Sequence, residues 1–216
     1  MYKRQALDNK IPKSTTVTLK DTKVSDNDVY HSVTIGTQVW MVENLRTTKY
    51  RNGDPIANIT DAASWAASTT GAYCWYNNDE AVNKSTYGAL YNWYAVADSR
   101  DIAPVGWHVA SDAEWTTLTT YLEGENGAGG KLKEAGFSHW LNPNTGSTNS
   151  SGFAALPGGA FGNGIFNKVG TYGYWWTATA INSTDAWNRY ICNNDAYCRR
   201  YGPVKRIGFS VRCIKD

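Results

Sequence analysis

Ten tryptophans and fourteen tyrosines stand against only five phenylalanines in this chain of 216 residues. Each Trp or Tyr brings a large apolar body with one polar handle. The chain must therefore bury these rings beside hydrogen-bond partners or set them on a recognition surface. For any single tryptophan burial is the ordinary outcome. Twenty glycines, with abundant Asn, Ser and Thr, point to a loop-rich fold whose aromatics plug an irregular core. The length suits one domain, or one domain with a tail.

Charge and hydropathy exclude several partners. Twenty-one Lys and Arg nearly balance nineteen Asp and Glu, and no basic run marks a nucleic-acid site. No apolar stretch is long enough to span a membrane, so no membrane insertion is expected. The opening MYKRQALDNKIPKS has no apolar core and does not read as a secretory signal. A cytosolic protein, a trimmed export product and a phage structural protein all remain open. The four cysteines, Cys74, Cys192, Cys198 and Cys213, include no C-x-x-C pair and no tight cluster with histidine, so a structural zinc site is not expected. Three disulfide pairings are open, as is none.

Along the chain, residues 1–28 are polar and weakly patterned and read as a tail, linker or assembly arm. The domain begins near Val29. His31–Ile35 alternates, Gly36-Thr37 can turn and Gln38–Met41 follows, which predicts a hairpin. A short Ala-rich helix is expected over Ala62–Ala67. Two longer helices are expected. Over Tyr87–Asp98, Leu90, Trp93, Tyr94 and Ala97 share a face. Over Ser111–Glu123, Ser111 and Glu114 form a capping box, Trp115, Leu118 and Leu122 form the stripe, and Gly124 ends it. Residues 124–173 read as loops and short strands. Ile207, Phe209, Val211 and Cys213 alternate as a half-buried closing strand. The class is α+β, with two helices, small antiparallel sheets and long loops.

Eight segments, in order, carry a resemblance over residues 29–216. They are VTIGTQVWMVENL (33–45), GAYCWYNND (71–79), YGALYNWYAV (87–96), PVGWHVASDAEW (104–115), GGKLKE (129–134), ALPGG (155–159), GYWW (173–176) and GFSVRC (208–213). Together they resemble the Fibrobacter succinogenes major paralogous domain. That family is similar to the formylglycine-generating-enzyme branch of the C-type lectin fold, which implies a compact domain with two helices, a small central sheet and long loops. The same fold class includes the variable proteins of diversity-generating retroelements, in which adenine-directed mutation, usually at AAC codons, diversifies a C-terminal binding face. Between Tyr190 and Ile207 only Lys205 lies outside the residue types reached from AAC. The resemblance also leaves Cys74 and Cys213, both in family motifs, facing each other as thiols or as a bridge.

The physical chemistry of residues 182–207 points the same way. Tyrosine gives contact area at low entropic cost, Asn and Gly adapt, and Arg anchors, a mixture that recurs in binding faces. The expectation is a non-catalytic ligand-binding domain, an adhesin or receptor-binding module, on an extracellular surface, a cell surface or a phage virion. Its partner would be a protein or glycan ligand, and oligomerisation is open. The candidate contacts are Asn182, Asn188, Tyr190, Cys192, Asn194, Asp195, Tyr197, Arg199, Tyr201, Arg206 and Ile207, over a scaffold anchored by Trp175 and Trp176. Two alternatives stand beside this reading. One is a cysteine-dependent oxidase using Cys192 and Cys198, which lie where the related enzymes keep a redox pair. The other is a structural module with a solvated face and no specific ligand. His31, His108 and His139 are scattered, and no hydrolase, metalloprotease or nucleotide motif is present. No cofactor is expected, apart from calcium at the oxygen-rich Asn77–Glu80, which stays open against a solvated turn.

Overall fold

The computed structural model describes residues 28–216. The expected tail, residues 1–28, lies outside the described residues except for Asp28, which pairs with Arg46 at 2.8 Å. The fold is α+β. Its helices are α1 (Ala62–Ala67), α2 (Glu80–Tyr87), α3 (Trp93–Val96), α4 (Asp112–Tyr121) and α5 (Glu125–Leu132). None among the described residues is long and apolar enough to cross a membrane.

Four small sheets divide the strands. The first runs β1 (Ser32–Ile35), β2 (Gln38–Met41), β12 (Cys213–Lys215), β6 (Trp107–Val109) in spatial order. A second joins β3 (Ala57–Asn58), β4 (Ala72–Cys74) and β5 (Leu90–Tyr91), and a third is the hairpin of β7 (Ala160–Gly162) and β8 (Ile165–Asn167). The last is β9 (Tyr172–Ala180), β10 (Ala186–Cys192) and β11 (Cys198–Tyr201), in the order β11-β10-β9. All pairings are antiparallel except β3 with β4.

The expected hairpin is β1 and β2, with Ile35 opposite Gln38. The capping box also forms: the Ser111 side chain accepts from the Glu114 amide while the Glu114 carboxylate accepts from the Ser111 amide. Helix α4 buries Trp115 and Leu118 against Trp40, Phe153 and Trp175, with Trp40 and Trp115 edge to face at 5.0 Å. Such contacts favour the ring quadrupoles beyond simple burial.

Three expectations need correction. First, Tyr87–Asp98 is not one helix. Helix α2 ends at Gly88, held at φ +73 with its Cα against the Leu45 carbonyl, where a Cβ would lie 2.7 Å away. The chain then forms β5, and Asn92 restarts a helix by accepting from the Ala95 amide. Leu90 and Trp93 are buried, but from two different elements. Secondly, residues 125–132 form α5, although glycines suggested a loop. Gly129 is small because the helix packs on the Tyr197 carbonyl, which a Cβ would strike. With α1 at the place of the expected short helix, the described residues hold five α-helices, where one short and two longer ones were expected. Thirdly, Ile207–Cys213 is not an alternating half-buried strand. Gly208, Phe209 and Ser210 bridge separately to Phe161, Tyr91 and Trp175, and every residue from Gly208 to Cys213 is buried. A segment surrounded on all sides has no solvent face to alternate with.

Arg212 is the hub of that segment. Its guanidinium donates to the Met41 and Phe153 carbonyls, both at 2.8 Å, and to Asn44 Oδ1 at 3.0 and 3.2 Å. Burial lowers its pKa to about 9. Trp175 Nε1 donates to the same Asn44 oxygen at 2.8 Å, so the β9 sheet is tied to the first sheet through one amide.

Candidate functional site: a groove over the β9–β10–β11 sheet

Strand pairing fixes which side chains share a face. Tyr190 lies opposite Tyr174 on β9 and Arg199 on β11, Cys192 lies opposite Tyr172, and Asn188 lies between Trp176 and Tyr201. By the two-residue period of a strand these side chains all point one way. Arg189, Ile191, Cys198 and Arg200 point the other way, towards α4 and α5.

The first face carries a groove of about 600 Å³. Its floor is Tyr172, Tyr174, Tyr190, Cys192, Arg199 and Tyr201. One wall is the β7–β8 hairpin, with Asn163, Asn167 and Lys168; the other holds Asn194 and Asp195 of the β10–β11 turn, and Pro203, Ile207 and Phe209 close the end. The β7–β8 turn follows from Asn163-Gly164, whose φ values of +52 and +77 suit a tight hairpin.

The floor is aromatic but edge-on. Tyr172 and Tyr174 stack at 5.5 Å and 7° between planes, and Tyr174 stacks on Phe209 at 4.8 Å and 13°. Both faces of the Tyr174 ring are thus occupied. Tyr190 packs beside Tyr174 at 5.8 Å. The outer side of Tyr172 meets the Lys168 ammonium at 5.2 Å, and the Arg199 guanidinium sits 5.9 Å from the Tyr190 ring. Burial raises the pKa of Tyr174 and of Tyr190, so both phenols stay protonated and able to donate.

The charged wall is internally balanced. Arg199 donates to both Asp195 oxygens, at 3.0 and 2.7 Å. Burial opposes the Asp195 carboxylate, yet the Arg199 hydrogen bonds outweigh it and hold its pKa below the usual value. The Asp195 bond in turn raises the pKa of Arg199. The Cys192 thiol donates to Asn194 Oδ1 at 2.9 Å. Beneath this turn Lys133 is fully buried, and its ammonium donates to the carbonyls of Thr145 (2.8 Å), Cys192 (3.1 Å) and Asp195 (2.8 Å).

Seven of the eleven sequence-derived contacts meet in the groove: Tyr190, Cys192, Asn194, Asp195, Arg199, Tyr201 and Ile207. Tyr197 stands outside it, partly exposed, with its ring 4.5 Å from the Arg199 guanidinium. Asn182 closes the β9–β10 turn, its Oδ1 accepting from the Thr184 and Asp185 amides. Arg206 is exposed and donates to the Ala66 carbonyl at 3.2 Å. Asn188 is a correction: it is fully buried, so its amide cannot meet a ligand as the structure stands, and neither amide atom has a hydrogen-bond partner among the described residues. It sits in the centre of the sheet, between Trp176 and Tyr201, where composition alone does not distinguish floor from foundation. Trp175 and Trp176 are both fully buried beneath.

Residues 163–174 contribute groove groups that lay outside the expected segment. Two signals could have found them: the alternation of Tyr172, Tyr174 and Trp176, and the Asn163-Gly164 turn.

All four cysteines are free thiols. Cys192 faces the groove, whereas Cys198 lies opposite Ile191 in the core on the other side of the sheet. Burial raises the pKa of Cys192, and pushes that of Cys198 up to about 12. A nucleophilic thiol needs the reverse shift. At the oxygen-rich turn, Asp79 caps α2 by accepting from Val82, Glu80 pairs with Lys84 at 2.9 Å, and Asn78 donates to the Thr60 carbonyl. Those groups have other partners. No cluster of three or more His, Cys, Asp or Glu suited to a metal occurs among the described residues.

No curated protein and no solved structure matches the chain. The model of the Fibrobacter succinogenes major domain matches residues 33–215, nearly the whole of the described chain. All eight segments lie within the matched residues, and the chain belongs to the Fibrobacter succinogenes major domain family.

Proposed function

We propose that the chain is a non-catalytic ligand-binding domain whose recognition face is the groove over β9, β10 and β11, displayed on a cell surface or a phage particle. The observation that carries the reading is the convergence of seven candidate contacts with Tyr172 and Tyr174 in one concave site. Ligand sites are typically concave, about 300–1,000 Å³ in volume, with a few oriented polar groups on rigid elements. The finer reading is a C-type-lectin-like domain with a diversified C-terminal face. It is supported by the alternation of the segment: Tyr190, Cys192, Arg199 and Tyr201 face the groove, while Ile191 and Cys198 hold the core. The oxidase alternative is weakened by the placement of Cys192 and Cys198 on opposite faces.

The test is binding of fluorescently labelled protein to bacterial and host cells, read by flow cytometry. Wild type is expected to stain a subset of cells, and Arg199→Ala with Tyr201→Ala to lose at least tenfold in half-saturating concentration at an unchanged melting temperature. Equal staining by both proteins would overturn the reading. An imperfect repeat of the codons for residues 176–213 near the gene, differing only at adenines, would establish the retroelement origin; a neighbourhood without one would remove it and leave the groove.

A further inference from the structure

The geometry points to a hydroxyl-rich ligand for this groove, one or two sugar rings at the end of a glycan, taken without a metal ion because the one carboxylate in its lining, Asp195, is already paired with Arg199. The inference rests on the groove being the binding face and adds the chemistry of what fills it.

Three observations carry it. None of the hydroxyls of Tyr172, Tyr174 and Tyr190 has a hydrogen-bond partner among the described residues, although the three rings pack together within 5.5–6.3 Å. Each phenol can donate one hydrogen bond and accept others, as each sugar hydroxyl can, so a cluster of such groups is matched by a cluster of the same kind. A peptide offers mostly separate donors and acceptors from its backbone. Next, the rings offer edges. Tyr174 is held between Tyr172 and Phe209, and Lys168 covers Tyr172, so the polar rims rather than open faces are available. That arrangement disfavours an aromatic side chain as the principal guest and favours hydrogen bonding. Finally, Arg199 is already satisfied by both oxygens of Asp195, leaving Lys168 as the lining cation without a carboxylate partner. The groove thus carries one unbalanced positive charge, at Lys168, and is about 600 Å³ in volume, the size of a small-molecule site rather than of a flat protein interface.

The experiment has two arms. In the first, the purified chain is applied in EDTA to an array of neutral and acidic oligosaccharides, and the affinity for any ligand found is measured for wild type, Tyr172→Phe and Tyr190→Phe. Phenylalanine keeps the packing and removes one hydroxyl. The expected result is binding that EDTA does not affect, weakened about threefold to tenfold per hydroxyl removed at an unchanged melting temperature. Binding that EDTA abolishes, or that both Phe variants retain in full, would overturn the inference. In the second arm, cells that the protein stains are treated with periodate, which cleaves sugar diols, or with protease. Staining lost to periodate supports a glycan. Staining that survives periodate and still depends on Arg199 and Tyr201 keeps the groove as the binding face and removes the glycan. Staining independent of Arg199 and Tyr201 removes both.

Discussion

Asn188 and Arg189 are neighbours on β10, both fully buried, and they point to opposite faces of the same sheet. Both terminal nitrogens of Arg189 are engaged, and only its Nε lacks a partner among the described residues. Arg189 donates to Asp112 at 3.1 Å, to Glu125 at 2.7 Å and to Thr116 at 2.8 Å, joining the sheet to α4 and α5. The Asn188 amide has no partner among the described residues. On the helix-facing side Arg189 is used in holding the fold together, while on the groove side Asn188 and the hydroxyls of Tyr172, Tyr174 and Tyr190 have no hydrogen-bond partner among the described residues, although Arg199 is tied to Asp195. A side chain committed to the fold is costly to change and useless to a ligand; an uncommitted one is the reverse. That difference is what the proposed binding role of the groove face rests on.

The comparison predicts opposite outcomes for adjacent substitutions. Arg189→Met strands part of the Asp112 charge in the interior, although Arg200 still pairs with it at 2.8 Å. The expected loss is roughly 3 kcal/mol, the lower end for breaking a buried pair, seen as a lower urea midpoint. An unchanged midpoint would mean that the helix-facing side is no more committed than the groove.

Lys133→Met comes next. Three carbonyls around the β10–β11 turn lose their donor, at a cost of roughly 2 kcal/mol, with faster amide exchange over residues 193–197. Burial lowers the pKa of Lys133 to about 8 from an ordinary 10.5. The unfolded chain therefore holds this proton more tightly than the folded one, and the Lys133 contribution to stability rises as the pH climbs from about 8 to about 10.5. Urea midpoints for wild type should show that rise and those for Lys133→Met should lack it. A rise of equal size in the variant would assign it to other groups.

On the groove side, Asn188→Val should be neutral or stabilising by up to about 1 kcal/mol, because it removes unsatisfied polar atoms from the interior. A loss of more than 2 kcal/mol would show that the Asn188 amide is engaged after all. Smallest of all, Tyr190→Phe should shift stability by less than about 0.5 kcal/mol while weakening binding.

Much of this fold could be read from the sequence wherever a single residue carries a single local signal. Ser111 and Glu114 announced α4, and the alternation before and after Gly36-Thr37 announced β1 and β2. Reading failed where tertiary contact decided the outcome. Gly129 and Gly130 looked like loop residues because a helix there is worth forming only against the backbone of Ala196 and Tyr197 in the β10–β11 turn and of Gly146. Leu90 and Trp93 fitted one helical stripe equally well as two elements. Half the groove was legible from the composition of residues 182–207. The other half needed the β7–β8 hairpin and Phe209 brought in from elsewhere in the chain, and the register between β9 and β10, which puts Tyr172 and Tyr174 beside Cys192 and Tyr190.

The most direct test compares the faces as binding surfaces. Labelled wild type, the groove variant Tyr190→Ala with Arg199→Ala, and the remote variant Tyr121→Ala with Phe137→Ala are titrated onto the same cells at matched folded fractions. Tyr121 and Phe137 are exposed rings away from the groove. The account predicts that the groove variant loses at least tenfold in affinity while the remote variant stains like wild type. Loss in the remote variant, with the groove variant unaffected, would contradict it.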